Sequence, residues 1–385
     1  MAQATTSSVD WRQAWYANDA VVYLNAAGQA PMPRVSLDAV QAALEWKKFP
    51  HALTDQGEMA LPQRVRTSIA NLIGAKPQEI ALTTGASAGL MALAYGLSWK
   101  PGDEILTAHG EFPAQYTTWK PMEAREGVKL RLIAPREQWI TADDFVAALT
   151  PKTRVVSVSM VRFDDGSMLE AAKLGAACRA QGTLLALDVS QCCGAIPMNV
   201  KALGADFITC SGYKWLLGPY GSGFFWASSE LTARFRPGPF YWQGIEGLIH
   251  YGDLIFESPK PAAGARGWDA SETASYFNLT GWDASLRFLQ ELGVETVAAH
   301  NRKLMTRLFE LLPHDRFVRT SPAKTEQQGP YGCFAAYALE RTHECNERLK
   351  REKVYASLRE GNIRVSPHLY NTEQDIDTLI RVIAG

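Results

Sequence analysis

From residue 79 to residue 210 the chain alternates short apolar runs with amphipathic stretches, and that alternation limits its folding more than any other feature. Strand-length apolar runs lie at 80–82, 104–107, 129–133, 154–159, 183–188 and 206–210. Helical periodicity fills the gaps at 88–97, 114–125, 141–149 and 168–181. Thr141 and Asp144 have the spacing of a capping box. Strands separated by helices need crossover connections, which place helices on both faces of a mostly parallel sheet. The expected fold class is α/β.

Ahead of this block, 10–20 reads as a short helix, and an apolar run at 21–24 leads into the small-residue loop Asn25-Ala-Ala-Gly28-Gln29-Ala-Pro31. Helical patterns follow at 35–49 and 61–73, with Gly74 as a stop. Beyond it, 236–273 is rich in Gly, Pro, Tyr and Trp, has no period, and is longer than an ordinary connection, so it reads as a functional or interface loop. Helical patterns run from 278 to about 312, and a strand-like run at 333–338 precedes a helix at 345–350. Short strands at 354–357 and 363–366 and a final helix from 372 complete the chain. The expected domains are a large α/β unit, 21–280, and a smaller α+β unit formed by 1–20 and 281–385.

Composition narrows the partners. The net charge of −1 with 21% charged residues argues against a nucleic-acid surface, which leaves a small ligand. Six cysteines sit mostly within apolar runs without zinc-ligand spacing, as free thiols of a reducing compartment would, and no metal is expected. The first residues lack a basic start followed by an apolar block, and no apolar run approaches membrane-spanning length, so the expected location is cytoplasmic with no membrane partner.

In open α/β sheets ligands bind beyond the carboxyl ends of the strands. Run 80–82 ends in Thr83-Thr84-Gly85-Ala86-Ser87 and opens a helix, whose free N–H groups and Ser87 hydroxyl suit a phosphate; taken alone it is also an ordinary helix cap. Run 183–187 ends in Asp188, followed by Ser190 and Gln191. A carboxylate there suits a pyridinium N–H, and Gln191 a phenolic oxygen on the same ring, although an Asp after a strand is often only a turn residue. The stretch 208–226, ITCSGYKWLLGPYGSGFFW, sets Lys214 between two apolar runs beside a glycine-rich turn. Apolar neighbours keep such an amine deprotonated for Schiff-base work, and Ser211 and Tyr213 offer hydroxyls to a phosphate; a snorkelling surface lysine is the bland alternative. Phe112, after run 104–107, can stack on a flat ring or be a plain core phenylalanine.

A phosphate loop, a strand-tip acid and a buried lysine in this order describe one ligand, pyridoxal 5′-phosphate. The residues ALDVSQCCGAIPMNV, SGYKWLLGPYGSGFF, LTTGASAGL and IRVSPHLYNTEQDID resemble the class V aminotransferase superfamily of fold type I, in particular its cysteine desulfurase, isopenicillin N epimerase and kynureninase branches. The resemblance implies that Lys214 binds the cofactor aldehyde, Asp188 pairs with the ring nitrogen and Gln191 contacts the ring oxygen. It further implies that Ala86, Ser87, Ser211 and Tyr213 hold the phosphate, Phe112 stacks on the ring, and Arg364 grips the substrate carboxylate beside Asn25. It also implies a homodimer with the active site at the interface, the loop 266–273 (RGWDASET) offering Ser271 or Thr273 to the partner's phosphate.

Two departures bear on the reaction. Desulfurases carry a nucleophilic cysteine on a mobile loop, whereas 350–362 has none, and Cys345 upstream reads as incidental. Where desulfurases have a His and an Asn, this chain has Met160, Arg162, Phe163, Asp164 and Asp165; Arg162 either meets a second acidic group of the substrate or forms a structural salt bridge. The expected reaction on a small amino acid passes through an external aldimine and a Cα carbanion, as a carbon–sulfur lyase or desulfurase-like enzyme without a loop persulfide. Epimerase and aminotransferase outcomes are the alternatives, with a catalytically inactive binding protein of the same fold as an alternative of another class. A nucleotide site at 218–223 is disfavoured, because that run lacks the lysine and hydroxyl ending of a triphosphate loop.

Overall fold

The computed structural model describes residues 10–16, 19–236, 238, 240–248, 250–252, 254–271 and 275–385. In chain order the strands are Val22–Tyr23 (β1), Ile80–Thr83 (β2), Glu104–Ala108 (β3), Lys129–Ile133 (β4), Thr153–Ser159 (β5), Leu184–Asp188 (β6), Phe207–Ser211 (β7) and Gly223–Ala227 (β8). Then follow Phe317–Arg319 (β9), Gly332–Ala336 (β10), Val354–Tyr355 (β11), Ser357–Arg359 (β12) and Asn362–Val365 (β13).

β2 to β8 form one seven-stranded sheet in the order β2-β8-β7-β6-β5-β3-β4. Every pairing is parallel except those of β8, which runs antiparallel to both neighbours. The reason is length: the connection 212–222 cannot hold the helical crossover that a parallel return needs, so the chain turns back. Strand residues alternate between two apolar layers. Leu106, Val156, Leu187, Ile208 and Phe224 face one layer. Ile105, Val155, Ala186, Phe207 and Phe225 face the other. Both faces are therefore covered, and the strands read as almost unbroken apolar runs. At Thr141 the side chain and Asp144 form the expected capping box.

The C-terminal unit is a four-stranded antiparallel sheet, β12-β13-β10-β9, packed on helices Val294–Leu311, Leu339–Arg351 and Glu373–Ala384. Its apolar cluster includes Leu304, Leu308, Phe334, Ile363, Val365, Ile376 and Leu379. Leu24 belongs to the same cluster, β1 pairs in parallel with β11, and Asn25 bridges to Ser366, so the chain just before the small-residue loop is tied to the C-terminal unit.

Some elements differ from the sequence expectation. In the segment expected to be helical at 10–20, of which 17–18 lie outside the described residues, the described part holds a short turn of 3-10 helix, Trp11–Ala14. The helix expected at 61–73 begins earlier, as Asp55–Ile73, capped by Thr54 and with Pro62 inside it. The helical pattern after 278 breaks at Gly293 (φ 76°) into Tyr276–Leu292 and Val294–Leu311. β9 has too short an apolar run to be seen by period. Among the described residues, no helix is long and apolar enough to cross a membrane.

Candidate active site

The carboxyl ends of β2, β5, β6 and β7 and the start of β8 meet at one edge of the sheet. A chain of hydrogen bonds ties three of these tips together. The Ser190 N–H donates to Asp188 Oδ1 at 2.8 Å, the Ser211 N–H to Ser190 Oγ at 2.9 Å, and the Ala86 N–H to Ser211 Oγ at 3.2 Å. The last bond reaches the first turn of helix Ala86–Gly96, where the N–H groups have no partners inside the helix and the dipole favours an anion. Gly85 precedes that helix at φ 156°, ψ 176°, a region open essentially to glycine alone. Gly223 lies against it: a Cβ there would come within 2.5 Å of Gly85 Cα. These two glycines let the phosphate-type loop close onto β8.

Lys214 follows β7 in a tight turn, with the Gly218 N–H on the Gly212 carbonyl and the Leu217 N–H on the Lys214 carbonyl. Leu217 is itself left-handed (φ 56°) and is held there by the Ser285 hydroxyl donating to its carbonyl. The lysine is 8% exposed. Burial pulls its amine down to about 8, with Asp188 acting in the opposite direction. Its Nζ lies 5.5 Å from the centre of the Phe112 ring and 5.7 Å from that of Tyr213.

Asp188 is buried, and burial raises its carboxyl above the ordinary range despite the hydrogen bonds from Ser190 and the charge of Lys214. Such a carboxyl is stabilised as an anion only by a cationic partner. Gln191 gives its amide N–H to the Ala27 carbonyl at 3.2 Å, while its Oε1 is buried without a partner. One pocket is lined by Ala86, Ser87, Phe112, Asp188, Gln191, Ser211, Tyr213 and Lys214 together. An amine drawn down to about 8, a strand-tip acid, an orphaned amide oxygen and a helix N-terminus fit a phosphorylated pyridine aldehyde.

Arg364, on β13, is 1% exposed. It donates to the Phe163 carbonyl at 2.7 Å and reaches Asn25 Oδ1 at 3.5 Å, while its Nε is buried without a partner. Asn25 Oδ1 also accepts from Ser357 Oγ. Arg162 is 8% exposed and committed elsewhere: it pairs with Asp164 at 2.8 Å and donates to the carbonyls of His109 and Gly110. Ser271 is exposed and outside the pocket of its own chain, and Thr273 lies outside the described residues.

The pocket also contains Thr84, Ser159, Phe163, Ser190 and Tyr220, to which sequence reasoning gave no role. Ser159 was legible as the last residue of its strand, level with Asp188 in the register. Glu111, buried beneath the pocket, had no sequence signal beyond an acid inside an otherwise apolar turn. Among the described residues, no group of His, Cys, Asp or Glu is placed to hold a metal ion.

The family model for class-V aminotransferases matches residues 22–379. The chain belongs to that family. This class-V family member is thereby a pyridoxal-phosphate-dependent enzyme. It is 25% identical to a probable cysteine desulfurase of Methanothermobacter thermautotrophicus, over 94% of this chain and 95% of the relative. It is 29% identical to isopenicillin N epimerase of Streptomyces clavuligerus, over 96% of each. Among solved structures, the cystine C–S lyase C-DES with its product cysteine persulfide superposes with a TM-score of 0.83 at 23% identity, covering 94% of this chain and 97% of that one. The cysteine desulfurase of Thermococcus onnurineus gives a TM-score of 0.82 at 22% identity, covering 94% and 93%. The fold of this class-V enzyme is therefore fold type I, with a small antiparallel C-terminal unit.

Proposed function

We propose that the pocket binds pyridoxal phosphate through Lys214 and acts on an amino acid as a carbon–sulfur lyase or desulfurase-like enzyme that uses no loop cysteine. The observation that carries the cofactor assignment is the buried Lys214 amine, drawn down to about 8, sharing a pocket with buried Asp188. Pyridoxal phosphate supplies an aldehyde and a protonated ring that takes up electron density from the substrate. Asp188 would keep that ring protonated, and Gln191, Ser159 and Phe112, which line the same pocket, would contact it. Ala86, Ser87, Ser211 and Tyr213 hold the phosphate. Lys214, whose pKa of about 8 leaves a usable neutral fraction near physiological pH, would carry the proton to and from the substrate Cα. Arg364, a buried guanidinium whose Nε is unpartnered, takes the substrate carboxylate beside Asn25.

That the reaction uses no protein persulfide is supported by the cysteines. None lies in 350–362, and Cys345 is buried, with burial raising its thiol. No thiol in that region is suited to accept sulfur, so it leaves with a small product. An epimerase reading follows the 29% identical relative, and a two-base epimerase would need a proton donor besides Lys214. The ionisable side chains lining the pocket are Asp188, Tyr213, Lys214 and Tyr220. The six cysteines are free and buried, which suits a cytoplasmic location.

We further propose a homodimer. Thr84 and Ser87 are exposed at the pocket, while the segment ending in Ser271 is fastened to the β2 edge, the Leu82 N–H donating to Asp269 and the Ala270 N–H to the Leu82 carbonyl. Ser271 is thus offered outward, to a second copy's phosphate. Light scattering on the holoenzyme tests this, and a monomer that retains cofactor overturns it.

The decisive experiment for the cofactor is colour. The purified protein should be yellow and lose that band on borohydride reduction, and Lys214→Ala should fail to regain it. A colourless protein that takes up no pyridoxal phosphate sinks the proposal and leaves a non-catalytic binding role. Sulfide, pyruvate and keto-acid release from a panel of amino acids then chooses among lyase, epimerase and transaminase.

A further inference from the structure

Four aromatic residues line the pocket, Phe112, Phe163, Tyr213 and Tyr220, and the rings of Phe112 and Phe163 have centroids 5.4 Å apart at an interplanar angle of 78°. Phe112 lies over the Lys214 amine, so it borders the reacting centre. Phe163 extends that wall towards Arg364, because its own carbonyl is what the Arg364 guanidinium holds at 2.7 Å. Phe163 thus shares the pocket with Lys214 and is bonded through its backbone to Arg364, so a substrate held by both would pass beside it. The edge-to-face arrangement fixes the ring without any polar partner.

Of the cations near this wall, Arg364 is taken by the first carboxylate and Arg359, near enough to act on both Lys214 and Arg364, is exposed, which leaves Arg162. Arg162 is the one arginine of the segment 160–165, and its N–H groups are taken by Asp164 and by the carbonyls of His109 and Gly110. Tyr331 clamps the same residue by donating its hydroxyl to the Arg162 carbonyl. Asp164 and Asp165 place two carboxylates behind the wall. An acidic side chain would meet an aromatic face whose neighbouring charges are already paired with one another, and a zwitterionic one would bury two ionised groups there.

We propose that Phe163, braced edge-on by Phe112, makes this enzyme selective for amino acids with an uncharged apolar side chain. Among sulfur compounds the class is S-alkyl and S-aryl cysteines, in preference to cystine, whose far end carries both an ammonium and a carboxylate. This inference rests on the cofactor reading above and deepens it by naming the substrate class.

The test is a spectral titration of the holoenzyme, which reads binding by the change in the cofactor absorption band and is independent of turnover. S-benzylcysteine and phenylalanine are compared with cystine and aspartate. The apolar pair should bind at least about tenfold more tightly than the charged pair, the scale on which apolar pockets discriminate. Phe163→Ala should reduce that ratio several-fold, and Phe163→Leu should largely restore it, which separates wall chemistry from a general loss of fold. Aspartate or cystine binding as tightly as S-benzylcysteine overturns the inference while leaving the cofactor reading intact, as does an unchanged ratio in Phe163→Ala. A protein without a cofactor band overturns both.

Discussion

The carboxylate of Glu111 is buried and takes both the backbone N–H and the hydroxyl of Ser159, each at 2.7 Å, while the Phe112 N–H donates to its second oxygen at 3.0 Å. A single acid thus ties the β5 tip to Phe112, the residue that opens helix Pro113–Glu126. Burial raises its carboxyl above the ordinary value, against the pull of those donors and of Arg162. Removing it leaves buried donors unmatched. Glu111→Ala should lower unfolding free energy by about 3 kcal/mol, since each stranded buried group costs about 1–3 kcal/mol. Chemical denaturation measures this, and a change near zero would show that the tips hold themselves. Glutamine is no remedy, because its NH2 faces donors.

Lys214 should control the pH dependence of cofactor uptake. Only the neutral amine attacks an aldehyde, and its pKa of about 8 places the rise there. Uptake by the apo-protein should speed up through pH 8 and level off above, being about a hundredfold slower at pH 6. Stopped-flow absorbance reads it, and a flat profile between pH 6 and 8 contradicts the assignment.

The same shift has a stability sign. A lysine whose folded pKa is about 8 against the ordinary 10.5 destabilises the apo fold below 8, and that cost is relieved as pH rises from 8 to 10.5. Lys214→Met should therefore stabilise the apo-protein at pH 7, by at most about 3 kcal/mol. Urea unfolding at pH 7 and pH 10 tests it, with the gain shrinking at the higher pH.

Gly223→Ala should loosen the phosphate loop. The added Cβ would press within 2.5 Å of the Gly85 backbone, which sits in a region closed to other residues. Overpacking of this kind costs about 1–3 kcal/mol. Cofactor affinity should fall by about five- to a hundredfold in equilibrium dialysis; unchanged affinity would mean the loop is not the phosphate cradle.

Arg364→Lys keeps the charge but loses the planar fork that spans the Phe163 carbonyl and Asn25. KM for amino acids should rise about tenfold or more, with the cofactor band unaltered. Steady-state kinetics beside the absorption spectrum checks both halves.

Period and punctuation alone were enough for the α/β class, because strands covered on both faces must be apolar throughout and the helices between them amphipathic. Lys214, Asp188, Ser87 and Ser211 were legible for a related reason: polar groups at the ends of apolar runs stand out. What the sequence could not convey was which ends become neighbours. The antiparallel return of β8 sets Gly223 against Gly85 and thereby brings β2 beside β8, a pairing with no trace in local pattern. Likewise Arg162 could be read as a substrate contact or as a structural partner, and only packing committed it to Asp164 and two carbonyls. Glu111 and Phe163 acquire their roles the same way. Local residue pattern determines what each segment becomes, but hydrogen bonds and ring contacts between segments far apart in the chain depend on the closed tertiary structure, where burial and distance decide which partner a side chain takes.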